Sequence, residues 1–453
     1  MRIPLLDVTN LGFVFSADRL TARREPSIHR KYLLLVLSVL LAFNLTDGLA
    51  LGLLLQSIKR DLSLSDTQLG LLTGIAFALF YSVMGIPIAR WADRGNRITI
   101  IAVTTTLWSV AVFLCGLAQS FAQLLTIRIA VAVGEAGCVP AGTSLIASHF
   151  DRAERPRAMA RYMLAAPLSS VIGYLVAGWL NEVWGWRLTF FSLGVSGLIL
   201  AAIVWLTLDR PREDRSSMSH SRRSDEAVQR TLREICGTLW KSRTFRHLLL
   251  SYAIMTFCGN GTTQWLSTFF IRSYGIGTGE LGSWFGVIYG TGGALGAYLG
   301  GELSARYAAR NECLQISMTA WLYVGLGVTS ALVYAAPNQF VAFGLIWINS
   351  LCAALSIGPL LAVIQSLVPE SLRAQAIAIV FFVSNLIGMG LGPLAVGALS
   401  DALYSRFAEQ SLRIALLALT PTYLWIAWHL WQGSKTVRRD IEATETHGAF
   451  NSV

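Results

Sequence analysis

YLLLVLSVLLAFNLTDGLALGLLLQS, residues 32–57, decides the class of this chain. It is apolar along its whole length apart from a few polar groups, and it carries one side chain charged at neutral pH, Asp47. A run of ~20 such residues crosses the ~30 Å hydrocarbon layer of a bilayer as a helix. A charge near the centre of that helix costs roughly 2.5–3.5 kcal/mol on insertion scales, so Asp47 must be paired, wetted or used.

Eleven further runs of the same kind follow, at 67–92, 97–119, 122–149, 157–182, 187–208, 246–273, 280–306, 312–335, 338–367, 372–403 and 411–433. At 54% hydrophobic and 14% charged residues the chain fits a membrane protein and not a soluble one. The formal charge of +10 suggests nucleic acid at first sight. Its distribution argues against that partner, because Lys and Arg cluster in alternate loops. The leader to Lys31 holds six Lys/Arg against three acids, and the stretch from Asp209 to Arg246 holds ten against six. The loops near Gln119, Asn181 and Asn338 are almost free of them. By the positive-inside rule both termini and the long middle loop are expected in the cytoplasm, with the protein multi-pass in the inner membrane.

The expected organisation is a cytoplasmic leader (1–31), a six-helix bundle (32–209), a cytoplasmic linker (210–245), a second six-helix bundle (246–433) and a cytoplasmic tail (434–453). The bundles look like duplicates. At an offset of 212, Leu69-Gly70 falls on Leu281-Gly282 and Arg94 on Arg306; at 216, Arg157-Ala158 falls on Arg373-Ala374. The fold class is therefore an all-α membrane protein of twelve transmembrane helices in two pseudo-symmetric bundles, the usual architecture of transporters that rock around a central site.

Two more charges lie deep in a span. RIAVAVGEAG (128–137) puts Arg128 and Glu135 seven residues apart, on nearly the same helix face. Asp47 falls between them in depth, so the three are expected to meet in a hydrated chamber between the bundles. A carboxylate beside Arg and a second carboxylate nearby can take up and release protons as partners change. Asp47 and Glu135 are thus candidates for proton coupling, with Arg128 and Asn44 for gating or substrate contact. The alternative is a buried salt bridge that only fixes helix register.

The loop ARWADRGNR (89–97) has the chemistry of a latch on the cytoplasmic side. Asp93 can accept from a neighbouring helix N-terminus while Arg94 and Arg97 tie other loops. Arg157, Arg306 and Arg373 are its expected companions, although GELSAR (301–306) has Ala305 where Asp93 stands. The second half has no acid deep in a span; its embedded polar groups include Asn260, Gln264, Asn349 and Asn385. Trp265, Tyr289, Phe381, Phe382 and Asn385 are the candidates for lining a cavity.

The six Cys and six His are dispersed without metal-ligand spacing. No metal or cofactor is expected beyond a proton as coupling ion, and no nucleophile–base constellation suggests an enzyme. The glycines of spans eight and eleven follow no strand, so they are no nucleotide fingerprint.

The twelve spans in two halves, the DRGNR loop and GWRLTF (185–190) resemble the major facilitator superfamily. RIAVAVGEAG, the Asn44–Asp47 pair and VPESLRAQAIAIVFFVSNLIGMGLGPLAVGALSD (368–401) are similar to its Spinster-like branch. The chain departs from that pattern at Gly48, where the family usually has Arg, and at Ala89, where it has Gly. The resemblance implies a monomeric secondary transporter, proton-coupled and working by alternating access on a small organic or lipid-like solute, such as a lysophospholipid or sphingoid phosphate. The residues alone require only an anionic or amphipathic solute. That leaves open import of an organic anion or sugar acid, multidrug efflux by antiport, and a non-transporting sensor on the same fold.

Overall fold

The computed structural model describes residues 27–151, 153–208, 237, 239–307, 311–369 and 372–450. Twelve helical spans follow one another among them. The first half comprises α1 (Ser27–Leu62), α2 (Asp66–Thr73 continuing as Ile75–Arg94), α3 (Arg97–Cys115), α4 (Phe121–Glu135 and Cys138–His149), α5 (Arg155–Met163 running into 165–184) and α6 (186–207). The second comprises α7 (Arg243–Tyr274), α8 (Thr278–Tyr307), α9 (Glu312–Ala335), α10 (Gln339–Ser366), α11 (Arg373–Ser384, a π-helical turn Asn385–Met389, then Gly390–Phe407) and α12 (Ser411–Leu419 and Thr422–Phe450).

Eight continuous stretches are long and apolar enough to cross a membrane by length and composition. Two of them, Arg155–Thr207 and Gln375–Ala443, hold two spans each. α7 and α8 are not among the eight; their Asn, Gln, Thr and Gly content dilutes the apolar signal while leaving the helices intact. The α5–α6 reversal needs no loop. Gly185 turns the chain in a backbone conformation (φ +79°) that a side chain would strain. Beyond it α6 packs against α3, with Gly194 on Phe113 and Gly197 on Ser109.

The hydrophobic core is forked. At the end distant from both termini, here the far end, one cluster joins the two halves: Leu54 and Trp186 from the first, Trp265, Phe270, Leu281 and Val396 from the second. At the terminal end the core divides. Leu33, Leu37, Ile98, Leu145 and Tyr162 pack within the first half, and Phe245, Leu248, Ile364, Val380 and Leu430 within the second. Small residues let backbones approach at the far-end seam. A Cβ on Gly70 would stand 2.6 Å from the carbonyl oxygen of Pro393, and Gly178 and Gly282 bring α5 against α8. Trp179 and Asn181 of α5 donate to Ser283 and Thr278 of α8 (both 3.1 Å). The bundles are thus clasped at one end, which leaves the terminal end free to part.

Candidate functional site

α1 and α4 cross where the first half is driest. The Nη1 of Arg128 donates to the Oδ2 of Asp47 at 2.6 Å, and the two side chains are 2% and 3% exposed. The guanidinium also lies 5.4 Å from the centre of the Phe77 ring on α2, whose negative face attracts it. Glu135 is 5% exposed and lies within electrostatic reach of both Asp47 and Arg128. It is held there by Gly134, because a Cβ at that position would stand 2.6 Å from the Cβ of Trp108; only glycine lets α4 sit so close to α3.

The expected trio therefore does meet. Its setting differs from the expectation: the three groups lie sealed inside the first bundle, not in a hydrated chamber between bundles. The gap beside Asp47, lined by Phe43, Trp108, Ser109, Val112 and Leu193, holds no water-sized space. The physical reason is that α3 and α6 close over the site from behind and supply most of that lining. The one cation bonds Asp47, and no ion pair to Glu135 forms among the described residues. The Oδ1 of Asp47, the Oε1 of Glu135 and the Nδ2 of Asn44 are buried with no hydrogen-bond partner among the described residues, as are the Nε1 of Trp108 and the Oγ of Ser109. Two ionised carboxylates are acceptors only and cannot satisfy each other; a shared proton would supply the missing donor.

Among the described residues, Arg97, Arg157, Arg306 and Arg373 of the expected latch are not brought together. The side chains of Asp93 and Arg94 lie outside the described residues. Arg97 begins α3 beneath the Asn96 cap, and Arg157, Arg306 and Arg373 are exposed. Arg306 pairs with Glu302 one turn away on its own helix. The Nε of Arg373 donates to the Gln365 carbonyl (3.2 Å). Among the described residues, no bundle-to-bundle ion pair involves Arg97, Arg157, Arg306 or Arg373, in keeping with the divided core at that end.

The observed clasp is at the opposite end, on residues that sequence reading passed over. Asp66, at the start of α2 and 2% exposed, receives a bidentate Arg272 from α7 (2.7 and 2.8 Å). Ser400 of α11 donates to the same carboxylate (2.7 Å), as does Lys59 of α1. Asp401 of α11 in turn accepts from the backbone N–H groups of Asp66 and Thr67 (3.0 and 2.7 Å). Those donors are unpaired at any helix start, so a carboxylate from the other bundle is well placed there. In the sequence these were ordinary charges at span edges.

The second half contains a cavity of about 330 Å³. Of the five candidates Tyr289 lines it. Trp265 is a correction: it is fully buried in the far-end core and its Nε1 donates to the Pro393 carbonyl (2.9 Å), which is a packing role. Phe381 lies 6.0 Å from Tyr252, ring to ring, with Phe382 exposed beside it, and Asn385 opens the π-helical turn; none of the three lines this cavity. Asn260 and Asn349 do, with Tyr252, Tyr323, Tyr334 and Tyr423. The tyrosines were missed because each lies singly in an apolar run, where a core role is the usual one.

Two six-helix bundles, a forked core and a buried charge cluster in one half define a multi-pass membrane transporter working by alternating access, not an enzyme. The Major Facilitator Superfamily profile matches residues 35–393, and the chain belongs to that family. It falls in the Spinster-like branch. An MFS-type efflux pump of Mycolicibacterium smegmatis is 31% identical over 410 residues, covering 90% of this chain and 93% of the pump. Protein spinster of Drosophila melanogaster is 24% identical over 80% of this chain and 60% of its own length. The crystal structure of a bacterial homologue of the human lysosomal transporter Spinster, inward-facing and unoccupied, superposes with a TM-score of 0.81 at 29% identity, covering 92% of this chain and 99% of that one.

Proposed function

We propose that the protein is a monomeric, proton-coupled transporter of an anionic or amphipathic organic solute, lysolipid-like compounds included. In this reading it lies in the inner membrane with both termini cytoplasmic, so the clasped far end faces outward. The observation that carries the reading is the sealed trio, in which one guanidinium pairs with Asp47 while a second carboxyl group, Glu135, lies buried beside the pair. An unpaired carboxylate in a dry site is costly, so charge balance calls for one proton on the acidic pair. When an anionic group of the solute takes Arg128, Asp47 loses its partner and binds a second proton. Release of the solute restores the pair and expels that proton. Binding and protonation are thereby linked through one guanidinium.

Lysine and arginine at the loops of the terminal end support the orientation. The likeness to a mycobacterial efflux pump supports export as the direction of transport. A thermal-shift screen of lysolipids, sugar acids and cationic drugs selects the solute class, and uptake into liposomes under an imposed pH gradient then tests coupling. Wild-type flux should follow the gradient, and Asp47→Asn and Glu135→Gln should uncouple it. If both variants keep the wild-type proton dependence, the proposal fails.

A further inference from the structure

The cavity of the second half combines a largely apolar surface with many hydrogen-bonding side chains. Twelve of its twenty lining residues carry a hydroxyl or a carboxamide: five Tyr, three Thr, two Ser and two Asn. None carries a formal charge. All twenty belong to the second bundle, from α7, α8, α9, α10 and α12, so the cavity lies within that bundle and away from the charged trio.

The lining chemistry selects its occupant. A charged group there would find no counter-ion and would bear its full desolvation cost. Asn349 already accepts from Thr329 and donates to Ser330 (3.2 Å), and Tyr323 meets Ser356 at 3.2 Å. The Asn349 carboxamide keeps a second N–H, and the tyrosine hydroxyls keep lone pairs. The rings of Tyr323 and Tyr423 lie nearly parallel, 6.4 Å apart and inclined by 23°, and give a flat aromatic wall beside those polar groups. At about 330 Å³ the space is at the low end of the ~300–1,000 Å³ typical of small-molecule sites, enough for a ring but not for a long tail.

We infer that this cavity is a subsite for an uncharged, hydroxylated ring of the transported solute, a sugar-like group. The inference rests on the transporter reading above and narrows its solute. Tyr289 links the subsite to the rocking motion. It lines the cavity and also stacks on Tyr174 of α5, across the seam between bundles (5.6 Å, 25°). A ring seated against Tyr289 therefore bears on the seam itself.

The test uses the full chain in detergent-free lipid nanodiscs, with phenyl β-glucoside and dodecyl phosphate as separate probes and ligand-dependent melting as the readout. Gly259 lines the cavity, and a Cβ placed on it meets nothing within 4 Å, so Gly259→Phe fills the space without a backbone clash. Phenyl β-glucoside should raise the melting temperature of the wild type. The shift should vanish in Gly259→Phe, and Asn349→Leu should weaken the apparent affinity about tenfold. Asp47→Asn, which disables the proton scheme, should leave the glucoside shift in place, so the two readings fail separately. The inference is overturned if the glucoside gives no shift, if its shift persists in Gly259→Phe, or if only the dodecyl phosphate shift is lost in that variant.

Discussion

Replacing Asp66 by Asn should tip the protein toward opening at the far end. Asp66 accepts from the bidentate Arg272 and from Ser400, both from the opposite bundle, and it is almost fully buried; Arg272 keeps one further acceptor there, the Oε1 of Gln56 (3.0 Å). Asparagine keeps the shape and removes the charge, leaving Arg272 (9% exposed) in contact with a neutral amide. Taking one partner from a buried ion pair costs about 3–5 kcal/mol. Lys59 belongs to the same half as Asp66 and moves with it, so its contact does not change on rocking. The loss falls almost wholly on the clasped state, because a parted far end hydrates Arg272 with or without Asp66. The lower bound, about 3 kcal/mol, is roughly a hundredfold in the equilibrium. A far-end-open population of about 1% would rise to about one half. Pulsed EPR distances between labels at Ser120→Cys and Glu409→Cys, with the exposed native Cys313 changed to Ser, report the far end. A second pair, Ala153→Cys with native Cys313, reports the terminal end. In Asp66→Asn the first distribution should gain a longer component while the second gains a shorter one. Unchanged far-end distances would refute the reasoning. Lengthening at both ends would refute it too, since that is loosening and not rocking.

Other outcomes follow from the same contacts. Gly134→Val should lower the melting temperature strongly, since its Cβ would press on Trp108, while Gly293→Ala, where a Cβ meets nothing within 4 Å, should not; melting of the two purified variants checks this. Trp265→Phe keeps most of the ring but leaves the Pro393 carbonyl without its donor, and should cost about 1 kcal/mol in denaturant or thermal unfolding. Proton-driven flux should be lost in Asp47→Asn and in Glu135→Gln, read in liposomes with and without a pH gradient. Phenyl β-glucoside should fail to stabilise Gly259→Phe, read by melting in nanodiscs.

The residues that sequence found and those it passed over differ in kind. Asp47, Arg128 and Glu135 stand out because a charge inside an apolar run is penalised at its own position, whatever lies around it. The same one-dimensional cost makes all twelve spans visible, including α7 and α8, which a strict apolarity threshold leaves out. Asp66, Arg272 and Asp401 carry equal charge but stand at span edges, where such residues are common and cost little. Their meeting depends on segments 206 and 335 residues apart in sequence. The same is true of the cavity, which five helices line and to which four of them contribute tyrosines that each look like packing residues alone.

Sequence by itself thus determined the membrane class, the two repeated halves and the three charges in the first of them, because hydropathy and helical period act residue by residue. Only the tertiary structure decided that the trio is sealed within one bundle, that the ion-pair clasp lies at the end away from the termini, and that the second bundle encloses a neutral, hydroxyl-rich cavity. Those depend on which faces of distant helices meet, and backbone approach at glycines such as Gly134, Gly178 and Gly282 settles that.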